Sequence, residues 1–323
     1  MKKAAIGFCI LAMIAWMASP AGATSAFKRV GLTGFAFLKV AQGARPAAMG
    51  DAFAAVADDI NAVYWNPAGL TQISRVEYTF SYNRWIVNSK FYSGAVAFRW
   101  GRAAIGFTVV SFAPDAVEET TIFKPNGTGA MLKLGDVAVG GAYAFKMTDK
   151  LSFGAHFRYV QETLDKDPVK TTSLDVGSLF HTGFHSVRVG MSLKNFGRDI
   201  RTRASAAAVG QTIVTFTMPL VFNIAAAMEV YGKEDDPNHV TVSFENLFAI
   251  DANERYHLGT EVWLGGVVAL RAGYKFRYDE EGFSGGAGLR HTVKGKTLNV
   301  DFSYTDFGSR LTAPLRFTVG GAF

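Results

Sequence analysis

The sequence predicts an all-β protein: a transmembrane antiparallel β-barrel of about fourteen strands with a short, partly helical N-terminal plug. Three observations lead there. Beyond Val76 the apolar residues recur with a period of two, in segments starting near 76, 90, 103, 134, 150, 171, 185, 218, 240, 256, 267, 282, 297 and 315. The connections between these segments alternate between short and long. Before Val76, the stretch Gly43 to Leu70 resists any strand reading.

The chain opens with Lys2 and Lys3, an apolar run from Ile6 to Met17 and the small residues Ala21-Gly22-Ala23. That order predicts an export signal over 1–23, with Thr24 as the mature start. Phe8 before Cys9 argues against a lipoprotein. Cys9 is the only cysteine, so the mature chain is expected to have no disulfide and no cysteine metal site. Net charge is +6, and loss of the two leader lysines leaves +4, scattered without a Lys/Arg run; nucleic acid is not an expected partner.

Residues 24–75 form the N-terminal segment and plug, and 76–323 the barrel. Small residues dominate the plug, Asp58 and Asp59 are adjacent, and it ends in Trp65-Asn66-Pro67-Ala68-Gly69. Either aspartate is placed to cap a short helix through Ile60 and Tyr64. Pro67 disfavours the α conformation at Asn66, so that helix should stop there. Trp65, Phe53 and Tyr64 either line a greasy pocket or pack the plug onto itself, and packing is the simpler use of them.

In the barrel, Tyr78 and Phe80 alternate with Glu77, Thr79 and Ser81, while Leu298, Val300 and Phe302 alternate with Asn299, Asp301 and Ser303. Successive strand residues point to opposite faces, so each segment has one oily side. A soluble sandwich alternates too. However, segments of about ten residues whose oily sides end in aromatics match tilted membrane-spanning strands with interfacial girdles. The even strand count, and two long connections at 113–133 and 197–217 on the side opposite the short turns, agree with an outer-membrane barrel. Phe323, aromatic and on the oily face, suits recognition by outer-membrane insertion machinery.

The predicted inward faces carry Glu77, Arg158, Arg188, Glu245, Glu261, Arg271, Lys275, Arg277, Arg290 and Asp301. Mutual ion pairs filling the lumen are the plain expectation. A sharper one is that Asp58 and Asp59 dock the plug onto lumen arginines. His156, His181, His185, His239, His257 and His291 form no metal-binding spacing, and no Ser, His and carboxylate occur at a defined spacing. No enzyme activity, cofactor or metal is expected. Gly285 to Gly288 lacks the helix of a nucleotide loop, and small residues beside a plug or at a bend explain it more simply. Asn126-Gly127-Thr128 is read as a loop turn.

Gly43, Ala44, Arg45, Met49, Gly50, Ala52, Phe53, Asp58, Asp59, Trp65, Asn66, Pro67, Ala68, Gly69 and Leu70, in that order, resemble the plug of the PorV/PorQ family, a branch of the FadL-like barrels. The motif spans under a tenth of the chain. The resemblance implies a fourteen-stranded barrel in the bacterial outer membrane, surrounded by its lipid. It also implies one of two functions. PorV-like proteins serve type IX protein secretion and surface attachment, engaging the C-terminal signal domains of cargo and other secretion components, here through the long outer loops. FadL-like relatives pass hydrophobic small molecules, such as long-chain fatty acids and aromatic hydrocarbons. The plug motif is common to both; the leading expectation is the non-enzymatic secretion component, with the channel for hydrophobic molecules as the alternative.

Overall fold

Period-two segments bury half their residues and need partners on both edges, and closing the sheet supplies them. The computed structural model describes residues 33–164, 167–206 and 210–323; the expected leader and mature start lie outside these. Fourteen strands close into an antiparallel barrel. The first seven are β1 (Val76–Arg84), β2 (Lys90–Trp100), β3 (Ala103–Ala113), β4 (Leu134–Lys146), β5 (Leu151–Leu164), β6 (Asp167–His181) and β7 (Arg188–Phe196). β8 (Ile200–Ala206) and β9 (Gly210–Phe216) pair only with each other. The wall resumes with β10 (Val221–Tyr231), β11 (His239–Ala249), β12 (Arg255–Leu264), β13 (Val268–Phe276), β14 (Phe283–Val293), β15 (Lys296–Thr305) and β16 (Leu315–Ala322). β10 pairs with β7, and the seam joins β1 to β16 in the register Tyr82↔Phe317.

The fourteen wall strands start within four residues of the positions read from the sequence. The connection at 197–217 departs from the loop expectation, because it carries the β8–β9 hairpin. Short turns gather at the end of the barrel holding Val76 and Phe323, here the turn end; long connections gather at the other, the loop end. Phe323 exchanges both backbone hydrogen bonds with Val76, at 2.8 and 2.9 Å, and its exposed ring lies 6.0 Å from that of Tyr78.

The outer wall is oily. Phe80, Phe107, Leu270, Phe302 and Phe317 are each about half exposed, while Thr79, Ser81, Thr108, Arg271, Ser303 and Thr318 on the alternate positions are buried. A soluble surface does not carry apolar area of this continuity. Among the described residues no helix is long and apolar enough to cross a membrane.

One departure from alternation occurs in β13, where the sequence puts Arg277 in the lumen and Tyr278 outside. The strand stops at Phe276, and Arg277 takes a left-handed φ of 65°. That turn puts Arg277 at the exposed rim, over the Tyr256 ring, and rotates the Tyr278 hydroxyl to 2.8 Å from His257 Nε2.

The plug runs from Thr33 at the loop end, through the lumen, to Val76 at the turn end. It comprises a 3-10 turn at Ala36–Lys39, helical turns at Ala44–Ala48 and Ala62–Trp65, and a 3-10 turn at Pro67–Thr71. Such short helical pieces have no independent stability, so the wall must hold them. Inward-facing glycines make this possible. A Cβ at Gly154 would run into the Pro67–Ala68 peptide, one at Gly190 into Ala54, and one at Gly286 into Ala48. Of the glycine-rich run at 285–288, Gly286 faces the plug, whereas a Cβ at Gly285 or Gly288 would meet only neighbouring wall residues.

Gly154→Val is therefore expected to destabilise the plugged barrel by about 1–3 kcal/mol through overpacking. The readout is the temperature at which the folded band disappears in cold-loaded SDS gels. Gly141→Val is the control, since a Cβ there meets nothing within 4 Å.

Candidate functional site: the plug and its anchors

The plug's backbone is irregular, so many of its N–H groups lack helical partners and must find them elsewhere. Wall carboxylates supply several. Glu77 accepts from Ile60 N at 3.0 Å and Ser74 N at 2.8 Å. Glu245 accepts from Phe53 N at 3.1 Å and Ala54 N at 2.9 Å. Glu162 accepts from Phe35 N at 2.9 Å, and Thr318 Oγ1 from Ala44 N at 2.9 Å.

The strongest anchor is ionic. Arg45 is buried and donates Nε and Nη2 to Glu261 at 2.8 and 2.7 Å, a two-pronged pairing. Its Nη1 reaches Asp58 at 2.6 Å and Asp59 at 2.7 Å. Glu261 also holds Arg271 at 2.5 Å, and Arg271 holds Asp301 at 2.6 Å. The docking expectation is thus corrected in sign. Asp58 and Asp59 bind the plug's own arginine, and it is that arginine which grips a wall acid. The reason is geometric: the helical turn Ala44–Ala48 packs on β13–β16, which brings Arg45 to Glu261 first. Burial pushes the Asp59 carboxyl above the ordinary carboxylate range, Arg45 pulls it back, and the Asp58 charge adds to the rise. Asp59 also accepts from Asn61 N at 2.7 Å, in the turn ahead of the helix; the cap position of Ala62–Trp65 is Asn61 and no side chain caps it, so the capping expectation is not met.

Other motif residues work locally. Asn66 adopts φ −151°, ending the helical turn at Trp65; its amide donates to Ala54 O at 2.7 Å and Ser178 O at 2.9 Å, and its Oδ1 accepts from Ala68 N at 3.2 Å. Gly69 is required because a Cβ would meet Ala57, and Gly43 (φ 84°) and Gly50 (φ 63°) occupy left-handed conformations. Phe53 packs edge-on against Trp65 at 6.3 Å within the cluster of Met49, Ala54 and Val56, while Leu70 packs with Ile73 and Ala97. Packing is therefore what Phe53 and Trp65 do.

The remaining lumen charges form separate pairs. Arg188 binds Glu229 at 2.8 and 3.0 Å and Ala55 O at 3.0 Å, a further plug anchor. Arg158 binds Asp175 at 2.6 Å. Lys275 joins Asp51 at 2.5 Å to Glu281 at 2.6 Å; burial pushes the Asp51 carboxyl up, and Lys275 together with the other cationic neighbours, Arg316 among them, more than offsets it and holds Asp51 below its ordinary range. Arg290, half-buried, covers the Trp263 ring at 4.0 Å. His156 is buried on Thr108 at 2.9 Å, whereas His239 bonds Asp236 O at an exposed turn. Among the described residues no three His, Cys, Asp or Glu side chains gather as a metal site. Sequence reasoning passed over Asp51, Glu162 and Glu229. The Asp51 position (φ 65°) follows Gly50 in a turn that no periodicity marks.

Above the plug, at the loop end, lies an apolar mouth. Phe35, Phe37, Phe91, Val110, Ala138, Val160 and Met218 are buried together, with Trp85, Phe112 and Tyr64 against them. The N-terminal segment contributes Phe35 and Phe37, and few polar contacts hold it. Thr33 Oγ1 and Lys39 Nζ donate to Asp251 in the 250–254 connection at 2.6 and 2.7 Å, and Gly34 N bonds Thr217 O at 3.1 Å.

Arg45→Met should leave Asp58 and Asp59 without their cation and Glu261 with Arg271 alone, costing about 3–5 kcal/mol, the scale for breaking one side of a buried pair. Planar-bilayer recordings are expected to show raised, noisier conductance, with Asp58→Lys/Asp59→Lys doing the same. Wild-type traces from both variants would remove the ionic anchor from the account.

The family described as "Uncharacterised protein family (UPF0164)" matches residues 11–161, just under half of the chain. No curated protein matches. Among solved structures, the CymD monoaromatic hydrocarbon channel is similar with a TM-score of 0.59 at 15% identity, over 87% of this chain and 97% of that one. The Pseudomonas putida toluene transporter TodX gives 0.58 at 12% identity, over 91% of this chain and 99% of that one. At such identities the likeness is one of fold; the similar proteins are channels and transporters, and the PorV/PorQ likeness stays a resemblance of the plug. In architecture the chain is a closed fourteen-stranded antiparallel barrel with its N-terminal segment inside, and in this it is similar to CymD and TodX.

Proposed function

We propose that the protein is a non-enzymatic channel of the bacterial outer membrane that admits small hydrophobic molecules at its loop end. The observation that carries this reading is the apolar mouth, an aromatic chamber set on the plug and filled by the chain's own Phe35 and Phe37. An apolar solute entering that chamber exchanges water for aromatic contact, worth about 25 cal/mol per Å² buried. It would displace side chains tethered mainly through Asp251, Glu162 and Thr217. The likeness to the CymD and TodX folds supports the reading over protein secretion.

Secretion has one observation in its favour. At the tip of the 114–133 connection, Ile122 and Phe123 are 90% and 89% exposed, as a loop that captures another protein would present them. Capture of the C-terminal domains of secreted proteins, lost on deleting 119–127, would favour it.

The channel reading is tested by uptake of labelled toluene into cells with and without the protein. Expression should speed uptake severalfold. Phe35→Ala/Phe37→Ala, which empties the mouth, should speed it further. Uptake independent of expression would overturn the reading.

A further inference from the structure

A second constellation lies beside the mouth, on the wall formed by β14, β15, β16 and β1. Arg316, Asn83, Ser303, Ser284 and Thr305 are neighbours there. Arg316 is paired in register with Asn83 on one side and Ser303 on the other, and Ser284 faces Thr305. All five point inward and are at most 4% exposed.

Their hydrogen bonding is unfinished. Arg316 Nη1 donates to Thr305 Oγ1 at 3.0 Å, but its Nε has no acceptor. The Oγ atoms of Ser284 and Ser303, and both amide atoms of Asn83, are also buried without partners. Among the described residues no carboxylate forms an ion pair with Arg316. The acids whose charges reach it, Asp51 and Glu281, are both committed to Lys275. A buried cation with no counter-charge is costly, and so is each unmatched polar atom. Such a set in a folded protein calls for an explanation.

The free groups are mostly donors: a guanidinium N–H, two hydroxyls and an amide NH2. Donors around an unpaired guanidinium fit a carboxylate, whose two oxygens match the guanidinium fork. An aromatic ring already covers the cation. Trp85 lies over Arg316 at 5.6 Å, standing edge-on to Phe91 at 6.0 Å and to Phe307 at 5.2 Å. Trp85 belongs to the loop-end connection 85–89, whereas Arg316 is fixed in the wall.

We propose that this is a binding site for small aromatic carboxylates. The carboxylate takes the fork of Arg316 with Asn83 and Ser303, and the ring takes the place of Trp85 between Phe91 and Phe307. A neutral hydrocarbon would leave every one of these polar atoms unanswered. The inference rests on the channel reading only for the solute's route to the site.

The test uses purified full-length protein in detergent micelles, with tryptophan fluorescence followed as benzoate, toluene or inorganic phosphate is added. Benzoate is expected to give a saturable change that Trp85→Phe removes, and Arg316→Gln should weaken binding at least tenfold. Arg316→Lys, which keeps the charge without the fork, should fall between. If Arg316→Gln fails to fold, Asn83→Ala and Ser303→Ala carry the test, each with severalfold weaker binding. No saturable benzoate signal, or affinities unchanged across these variants, overturns the proposal. Phosphate competing as well as benzoate overturns the aromatic-acid assignment and leaves a bare anion site. Toluene uptake with no benzoate binding leaves the channel reading standing without this site; benzoate binding with no expression-dependent toluene uptake does the reverse.

Discussion

The contact between Arg45 and Glu261 is where plug and wall become one structure. Neither charge is tolerable alone where both are buried, and together they form a two-pronged pair with Asp58, Asp59, Arg271 and Asp301 completing the neutralisation. The other wall contacts depend on this placement. Once the Ala44–Ala48 turn is pinned on β13–β16, the chain that follows is positioned for Glu245 to accept from Phe53 and Ala54, and for Glu77 to accept from Ile60.

Close packing of an irregular chain against a strand wall needs room and donors' partners at the same places. Here the two requirements alternate along the wall. Gly273 and Gly259 let the plug backbone at Met49 and Gly50 approach, while Glu261, two residues from Gly259, takes the charge. Gly190 and Arg188 repeat the arrangement against Ala54 and Ala55, the glycine giving space and the arginine binding the carbonyl. At these two places a glycine that gives room stands two residues from a charge that binds the plug, and the plug fits the relief that results.

Much of this was legible in the sequence. Two-residue periodicity located all fourteen wall strands, because one face of each must be oily for lipid and the other polar for the lumen. Asn66-Pro67 marked the end of a helical turn, because proline restricts the residue before it. The β8–β9 hairpin went unseen, since a two-stranded ribbon that is no part of the barrel wall needs no oily face. Arg277 was misplaced because its left-handed turn obeys no alternation. Partner choice was the least legible: Arg45, Asp58 and Asp59 were all visible as charges, but which of them meets the wall depends on a packing geometry that has no local signature.

The plug's last anchored residues and the barrel's first strand are the same stretch of chain. Ser74 and Ile60 are held by Glu77, and Glu77 lies opposite Ala322 at the seam between β1 and β16. Filling the lumen and shutting its wall therefore share one residue, and a cylinder closed around nothing would leave that glutamate facing an empty bore.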